Sequence, residues 1–177
     1  TFHPATVENS NISKQMSELL SALSERKDTT LIFTMPNTDT GGLSIMKQIN
    51  DFVNMNKNAY SFKSLGQVLY LSCLSIVDGV IGNSSSGILE APTLRVGSIN
   101  IGSRQQGRPQ AKSIINVNAS NNEIRNAINK LYTAEFRSIL ETVESPYGEG
   151  GASSKILKIL NEVNLDGIIR KRFYDVP

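Results

Sequence analysis

The chain alternates between two hydrophobic periods, one typical of amphipathic helices and one typical of short buried strands. Between residues 9 and 27, apolar side chains recur every three or four positions with polar residues between them, which predicts a helix. Residues 29–35 are rich in β-branched and aromatic side chains and end at Pro36-Asn37, which predicts a strand. The remaining predicted elements are helix 41–56, strand 58–62, helix 66–77, strand 79–82, helix 86–94, strands 98–102 and 113–118, and helices 121–132, 134–143, 153–163 and 165–172.

This order of elements predicts the fold class. Strands that alternate with helices at this spacing form βαβ units, in which helices cover both faces of a parallel sheet. We therefore expect an α/β protein with a mostly parallel sheet between two helical layers. The helix at 66–77 is apolar on most sides, so we expect it to pack deep in the domain. Thr1-Phe2-His3-Pro4 is expected to be the end of a strand, because Pro4 keeps His3 extended.

Composition narrows the classes of function. A length of 177 residues suits one domain, and 39% hydrophobic residues exclude a disordered chain. A dispersed net charge of +2 argues against nucleic acid as a partner. One cysteine and one histidine leave no internal disulfide and no histidine-built metal site. With no apolar run of membrane-spanning length and no signal peptide at its start, the chain is expected to be soluble and cytoplasmic, and not bound to a membrane.

Polar residues follow the predicted strands at what should be one edge of the sheet. Ligands bind at the carboxyl ends of strands in open parallel sheets, because loops and helix N-termini converge there. Five predicted loops would meet at this edge. They carry His3, Asn37 with Asp39, Ser64-Leu65-Gly66, Asn83-Ser84-Ser85-Ser86-Gly87 and Arg104.

The stretch Gly82–Glu90 is the strongest candidate site. A glycine at the end of a strand, then serines, then a helix start presents backbone N–H groups and a positive helix dipole, which suit phosphate. Ile88 stands where a P-loop has lysine, which argues against hydrolysis of nucleoside triphosphates. No G-x-G-x-x-G pattern supports a nicotinamide or flavin, so no cofactor is expected. Pro92 predicts that the helix is short or bent.

Glu90 and Arg104 extend this site toward a nucleoside diphosphate. A carboxylate at Glu90 accepts hydrogen bonds from both hydroxyls of a ribose, while phosphates would bind at Ser84 and Ser85. Arg104 would neutralise the diphosphate. The alternative is an ordinary surface: the serines as a capped turn, Glu90 and Arg104 as solvated charges, and His3 as a frayed terminus. Their joint placement on one edge favours the ligand site.

Two motifs resemble a known family. Gly82–Pro92 and Ile99–Arg108 are similar to the hydrolysing UDP-N-acetylglucosamine 2-epimerases of sialic acid and related sugar biosynthesis. Further similar pieces are Thr1–Pro4, Met35–Asp39 and Pro146–Gly150. The resemblance implies a Rossmann-like three-layer α/β/α sandwich that forms one half of a glycosyltransferase-B-type fold. Residues 1–177 would be a single C-terminal UDP-binding domain, separated here from the N-terminal domain of the same protein.

The resemblance also implies a reaction and roles for residues. UDP is eliminated from UDP-N-acetylglucosamine, and water adds to give N-acetylmannosamine. His3 and Arg104 would be catalytic at the diphosphate; Glu90 would bind ribose, Leu65 would lie near uracil and Asn37 would line the cleft. Ser84, Ser85, Ser86 and Gly87 would complete the UDP site, with no metal.

The 177-residue chain alone is not expected to turn over, and its parent could be a homo-oligomer. Arg95-Val96-Gly97 departs from the family pattern at the turn after the helix. Two other functions stay open: the donor domain of a UDP-sugar glycosyltransferase, and a non-catalytic nucleotide-sugar sensor.

Overall fold

A computed structural model describes residues 1–4, 12–37, 41–148 and 150–170. It divides the chain into two compact units, Thr1–Tyr147 and Gly148–Pro177. Asp39 lies outside the described residues, and the assignment of residues 1–177 to one UDP-binding domain stays a prediction. The elements are α1 (Ile12–Ser24), β1 (Leu31–Thr34), α2 (Gly42–Met55), β2 (Ala59–Phe62), α3 (Gly66–Leu74), β3 (Gly79–Gly82), α4 (Ser86–Thr93), β4 (Gly97–Ile101), β5 (Ile114–Val117), α5 (Asn121–Leu131), α6 (Ala134–Thr142) and α7 (Ala152–Glu162).

The strands of the first unit form two parallel sheets. β1 pairs with β2 in the register Leu31↔Ala59, and β3 pairs with β4 in the register Gly79↔Gly97. β5 joins the other edge of β4, again in parallel. The predicted α/β class with parallel strands is therefore confirmed.

Helices cover opposite faces of the three-stranded sheet. Gly87 of α4 approaches β4 so closely that an added Cβ would lie 2.6 Å from the Ser98 hydroxyl. Gly97, one residue earlier in the strand, instead faces Leu131 of α5 and Phe136 of α6. Because successive side chains of a strand point to opposite faces, α4 and α5 lie on different sides. This half of the unit is a three-layer sandwich, as expected.

The amphipathic pattern is the reason the remaining helices form where they do. Met16 of α1 and Ile45 and Ile49 of α2 are fully buried, and they share one core with β1 and with α5. α5 begins at a side-chain cap: Ser120 accepts a hydrogen bond from the Glu123 amide, and Glu123 accepts one from the Asn118 amide. The backbone and side-chain amides of Asn118 both donate to the Glu123 carboxylate, and they hold the pKa of Glu123 below its usual value.

Two expectations about helices are wrong. α3 does not pack deep in the domain: of its nine residues only Leu74 is buried, and Val68 is 82% exposed. Its apolar side chains surround the helix, so only a few of them can face the neighbouring α4 and β3. No helix follows α7 among the described residues 165–170, where the chain forms turns. Gly167, with φ of +77°, interrupts any continuous helical backbone there.

The second unit contains α7. The helix begins after Gly151, whose backbone is left-handed, and no residue of α7 is buried. In the parts of the chain that are described, no helix combines the length and apolarity needed to cross a membrane.

Candidate functional site

Thr1 approaches the carboxyl end of β3 as a neighbouring strand would. Its amino nitrogen donates to the Ile81 carbonyl at 3.5 Å, and the Asn83 amide donates to the Thr1 carbonyl at 3.4 Å. This is the parallel pairing pattern, with Thr1 opposite Gly82. A Cβ at Gly82 would overlap the Thr1 carbonyl, and φ there is +144°, so only glycine allows this approach. Because Thr1 pairs with Gly82, the backbone of His3 lies beside Asn83.

Asn83 connects three segments at this edge. Its side-chain Oδ1 accepts from the His3 amide at 2.7 Å, and its Nδ2 donates to the His3 carbonyl at 2.8 Å. Its own carbonyl accepts from Arg104 Nη1 at 3.0 Å and from Gln105 Nε2 at 2.8 Å. With 3% exposure, Asn83 is the buried centre of the network, and it brings His3 and Arg104 to the same loop.

His3 also contacts Asn37, in the loop that follows β1. Its Nδ1 lies 2.9 Å from Asn37 Oδ1 and 3.4 Å from the Asn37 amide nitrogen. The shorter distance fits an Nδ1–H group that donates to the side-chain oxygen. This bond fixes the orientation of the imidazole, and it joins two loops that were predicted to lie at one edge of the sheet.

The N-terminus of α4 has the features of an anion site. The Ile88 and Leu89 amides bond back to Ser85, and the Ser86 amide lies 3.4 Å from the Ser84 hydroxyl. The backbone amides of Ser84 and Ser85 have no partner within the described ranges, and both residues are half-buried. Two such amides beside a helix N-terminus and the Arg104 guanidinium produce a positive potential at one point.

Glu90 lies one turn further along the same face of α4. Its Oε2 is buried and has no hydrogen-bond partner among the described residues. One turn earlier, the Ser86 hydroxyl shares a 2.5 Å hydrogen bond with the Tyr70 hydroxyl of α3. Burial, and secondarily the charge of Glu90, raises the pKa of Tyr70, so its hydroxyl stays protonated at neutral pH. α3 and α4 therefore meet around a carboxylate that still lacks a donor.

The structure brings most of the predicted residues to this edge, which we call the β3 edge. His3, Asn37, Ser84, Ser85, Ser86, Glu90 and Arg104 lie there. Leu65 is half-buried at the start of α3 and borders a cavity together with Tyr70, with no recorded contact to the Asn83 network. Gly87 is buried against Ser98, which explains the glycine by packing, and its role in ligand binding stays a prediction.

Three residues of the site were given no role from the sequence, although Asn83 was expected at this edge. Asn83 and Gln105 stand inside the quoted motifs, but an amide side chain gives no sign of which backbone groups it will bond. Gln105 is 1% exposed, and its Oε1 has no partner in the described part of the chain. Tyr70 bonds to Ser86 only because α3 packs beside α4, and no local sequence pattern predicts that packing.

A family model described as UDP-N-acetylglucosamine 2-epimerase matches residues 1–161. The chain belongs to this epimerase family. A Campylobacter jejuni protein named GDP/UDP-N,N'-diacetylbacillosamine 2-epimerase (hydrolyzing) is 39% identical over 178 residues, which is 99% of this chain and 46% of that protein. An Escherichia coli protein named polysialic acid biosynthesis protein P7 is 36% identical over 178 residues, covering 99% of this chain and 45% of that protein.

A solved structure agrees with this family assignment at the level of fold. The S. aureus MnaA–UDP co-structure superposes with a TM-score of 0.72 at 16% identity, covering 99% of this chain and 47% of that one. The expected relationship to half of a glycosyltransferase-B-like fold is confirmed. This epimerase-family chain spans about half the length of the curated relatives it matches.

Proposed function

We propose that the β3 edge binds the UDP moiety of a UDP-sugar. The diphosphate would lie at the Ser84 and Ser85 amides with Arg104 and His3 beside it, and the ribose hydroxyls would donate to Glu90. The observation that carries this proposal is the buried, unpartnered Oε2 of Glu90. A buried carboxylate oxygen without a donor is costly, and a vicinal diol supplies two donors at that point.

Smaller contributions come from residues around this centre. Asn37 holds the His3 imidazole, and Ser86 holds Tyr70 next to Glu90. Leu65 at the start of α3 offers an apolar surface to the uracil, and Gly87 lets α4 approach the sheet so that its N-terminus is correctly placed. No metal and no cofactor take part in this proposal, since the arginine and the helix N-terminus supply the positive charge.

For the whole protein, we propose the hydrolysing 2-epimerase reaction on UDP-N-acetylglucosamine. A base removes the proton on sugar C2, the bond from C1 to the diphosphate oxygen breaks, and UDP leaves with the bonding electrons. Water then adds across the resulting double bond to give N-acetylmannosamine. Donors fixed in advance at the diphosphate stabilise the charge of the leaving group, and this is the task of Arg104, His3 and the start of α4. The acid and base would come from the other half of the protein.

A second candidate substrate is UDP-N,N'-diacetylbacillosamine. The name of the Campylobacter jejuni relative, at 39% identity, favours it. The residues of the β3 edge would contact the nucleotide part, which is common to both donors, so either sugar is compatible with this half.

Calorimetry of the 177-residue chain with UDP tests the site. Glu90→Ala and Arg104→Ala should each weaken binding by about 10- to 100-fold, as expected for the loss of a charge-assisted hydrogen bond of about 1.5–3 kcal/mol. Ser85→Ala removes a hydroxyl but keeps the backbone amide, so it should weaken binding less than either of them. Glu90→Ala should equalise the affinities for UDP and its 2′,3′-dideoxy analogue. Lys130→Ala and Glu141→Gln are matched controls, because both residues are exposed and belong to α5 and α6, which meet the sheet at Gly97, the first residue of β4. If the parent shows no heat with UDP, or the three variants equal it, the site assignment is wrong.

The reaction is tested with the longer protein and each UDP-sugar separately. Free N-acetylmannosamine and UDP from UDP-N-acetylglucosamine support the first substrate, whereas turnover of the diacetylbacillosamine donor alone supports the second. Transfer of the sugar to an acceptor would instead indicate a glycosyltransferase, and binding without release of sugar would indicate a sensor.

A further inference from the structure

His3 is the single histidine of the chain, and its backbone is held by two hydrogen bonds. The Asn83 side chain accepts from the His3 amide at 2.7 Å and donates to the His3 carbonyl at 2.8 Å. Pro4, which is buried, restricts the residue before it to extended backbone conformations. Only the side-chain torsions of His3 are therefore left for another contact to set.

Asn37 makes that contact from a backbone that is itself well anchored. The Met35 amide, two residues earlier, donates to the Phe62 carbonyl at 3.1 Å, and Pro36 is buried. The Asn37 carbonyl lies so close to the start of α2 that a Cβ on Gly42 would overlap it. The position of the Asn37 carboxamide next to the imidazole therefore results from the fold.

The distances around Nδ1 of His3 decide which neutral tautomer this contact favours. Asn37 Oδ1 lies 2.9 Å from Nδ1, within the usual range for a hydrogen bond, whereas the Asn37 amide nitrogen lies at 3.4 Å, beyond it. A lone pair on Nδ1 would repel the closer oxygen, while an Nδ1–H group donates to it. The contact therefore favours the proton on Nδ1, and Nε2 becomes the ring nitrogen that gains and loses a proton.

We propose that Asn37 is a positioning residue that keeps the proton of neutral His3 on Nδ1, so that Nε2 takes up a proton when a diphosphate binds. In the imidazolium, Nδ1–H still donates to Asn37, and Nε2–H donates to a diphosphate oxygen. In the neutral ring, the Nε2 lone pair would repel that oxygen. The part that concerns the diphosphate rests on the proposed function, whereas the tautomer is a property of the chain without ligand.

Few charged groups belong to the segments around the ring. The two loop segments that contact His3, residues 34–37 and 82–87, are uncharged. Arg104, which reaches the same network from the loop after β4, disfavours a charged imidazole, while Glu90 on α4 favours it. A bound diphosphate adds negative charge beside the ring and raises the pKa of His3, which is the condition for proton uptake.

Imidazole ¹⁵N NMR of the 177-residue chain tests the tautomer directly, because a single histidine gives one pair of ring nitrogens. The neutral ring should show a protonated Nδ1 and an unprotonated Nε2. Asn37→Ala should lower the ratio of the Nδ1–H to the Nε2–H tautomer about fivefold, which corresponds to one hydrogen bond of about 1 kcal/mol. Asn37→Asp keeps an acceptor, so it should keep the parent's ratio and raise the pKa of His3 by about one unit or more. Asn54→Ala, at an exposed position of α2, is the control.

Calorimetry with UDP-N-acetylglucosamine tests the proton uptake. This ligand replaces UDP because a terminal phosphate has its own pKa of about 6, which the diphosphate of a UDP-sugar lacks. N-terminal acetylation removes the Thr1 amino group, whose pKa of about 6 falls in the same range. The affinity of the acetylated chain should fall by up to about tenfold for each pH unit above the pKa of His3 measured by NMR, and the heat should depend on the buffer's ionisation enthalpy. In Asn37→Asp the fall should begin about one pH unit higher.

The two parts of the proposal fail separately. A neutral parent ring with its proton on Nε2, or an Asn37→Ala ring with the parent's tautomer ratio, would show that Asn37 does not position His3. Affinity for UDP-N-acetylglucosamine that is independent of pH would refute the proton uptake, and no binding at all would refute the nucleotide site together with it. If Asn37→Ala does not fold, Asn37→Asp decides: an unchanged pKa of His3 in that variant would mean that side chain 37 does not contact the ring.

Discussion

Substitution of Asn83 is the sharpest test of how the β3 edge is held together. The side chain makes two hydrogen bonds to the backbone of His3, at 2.7 and 2.8 Å, while itself being 3% exposed. Asn83→Ala leaves the His3 N–H and C=O without these partners. An unpaired buried polar group costs about 1–3 kcal/mol, and since His3 is only half-buried, we expect a total loss of about 2–4 kcal/mol in the free energy of unfolding. UDP affinity should fall by at least tenfold, because the loop that carries Ser84 and Ser85 loses its anchor.

Asn83→Asp separates the two bonds. The carboxylate still accepts from the His3 amide, but it faces the His3 carbonyl with a second acceptor and adds negative charge beside the proposed diphosphate. We expect UDP binding to suffer more in Asp than in Ala, while stability suffers less or equally. Urea unfolding and calorimetry measure the two quantities, and Asn54→Ala, at an exposed position of α2, should stay within about 0.5 kcal/mol of the parent. If Asn83→Ala unfolds like the parent and binds UDP equally, the network does not organise this edge.

Three further predictions follow from individual groups. Burial lowers the pKa of the Thr1 amino group from 8.0 to about 6, so the unfolded chain takes up its proton at a higher pH than the folded chain. Stability should therefore fall by up to about 3 kcal/mol between pH 8 and pH 6, and urea midpoints should lose this dependence after N-terminal acetylation. Gly82→Ala should lower the free energy of unfolding by more than about 2 kcal/mol in urea, because the new Cβ would meet the Thr1 carbonyl. Gly66→Ala is the control: Gly66 has φ of +64° but no neighbour within 4 Å, so only the backbone strain of about 1–2 kcal/mol should be lost. Tyr70→Phe removes the hydrogen bond to Ser86, so it should lower the free energy of unfolding by about 1 kcal/mol and the UDP affinity by about three- to tenfold. If calorimetry gives the same UDP affinity as for the parent, Tyr70 does not order α4.

Local periodicity predicted most elements, because the spacing of apolar residues in an amphipathic helix shows which face is buried. α1 and α2 begin and end within a few residues of the predicted bounds, apart from the undescribed residues 9–11. α4 is short, as Pro92 indicated: it ends at Thr93. α3 was misjudged, because apolar residues all around a helix do not say which neighbours will cover them. Whether a residue is buried depends on the element that packs against it, and not on its own helix alone.

The sequence by itself determined the order of strands and helices, the parallel class of the sheets and the motif Gly82–Glu90, since these depend on neighbours a few residues apart. Tertiary structure alone decided that Asn83 bonds to residue 3, eighty positions away, that Gln105 bonds to the Asn83 carbonyl, and that β1 and β3 face each other across a cavity. Amide side chains and strand edges can pair with any backbone group of suitable geometry. Their partners are therefore set by where the fold places distant segments.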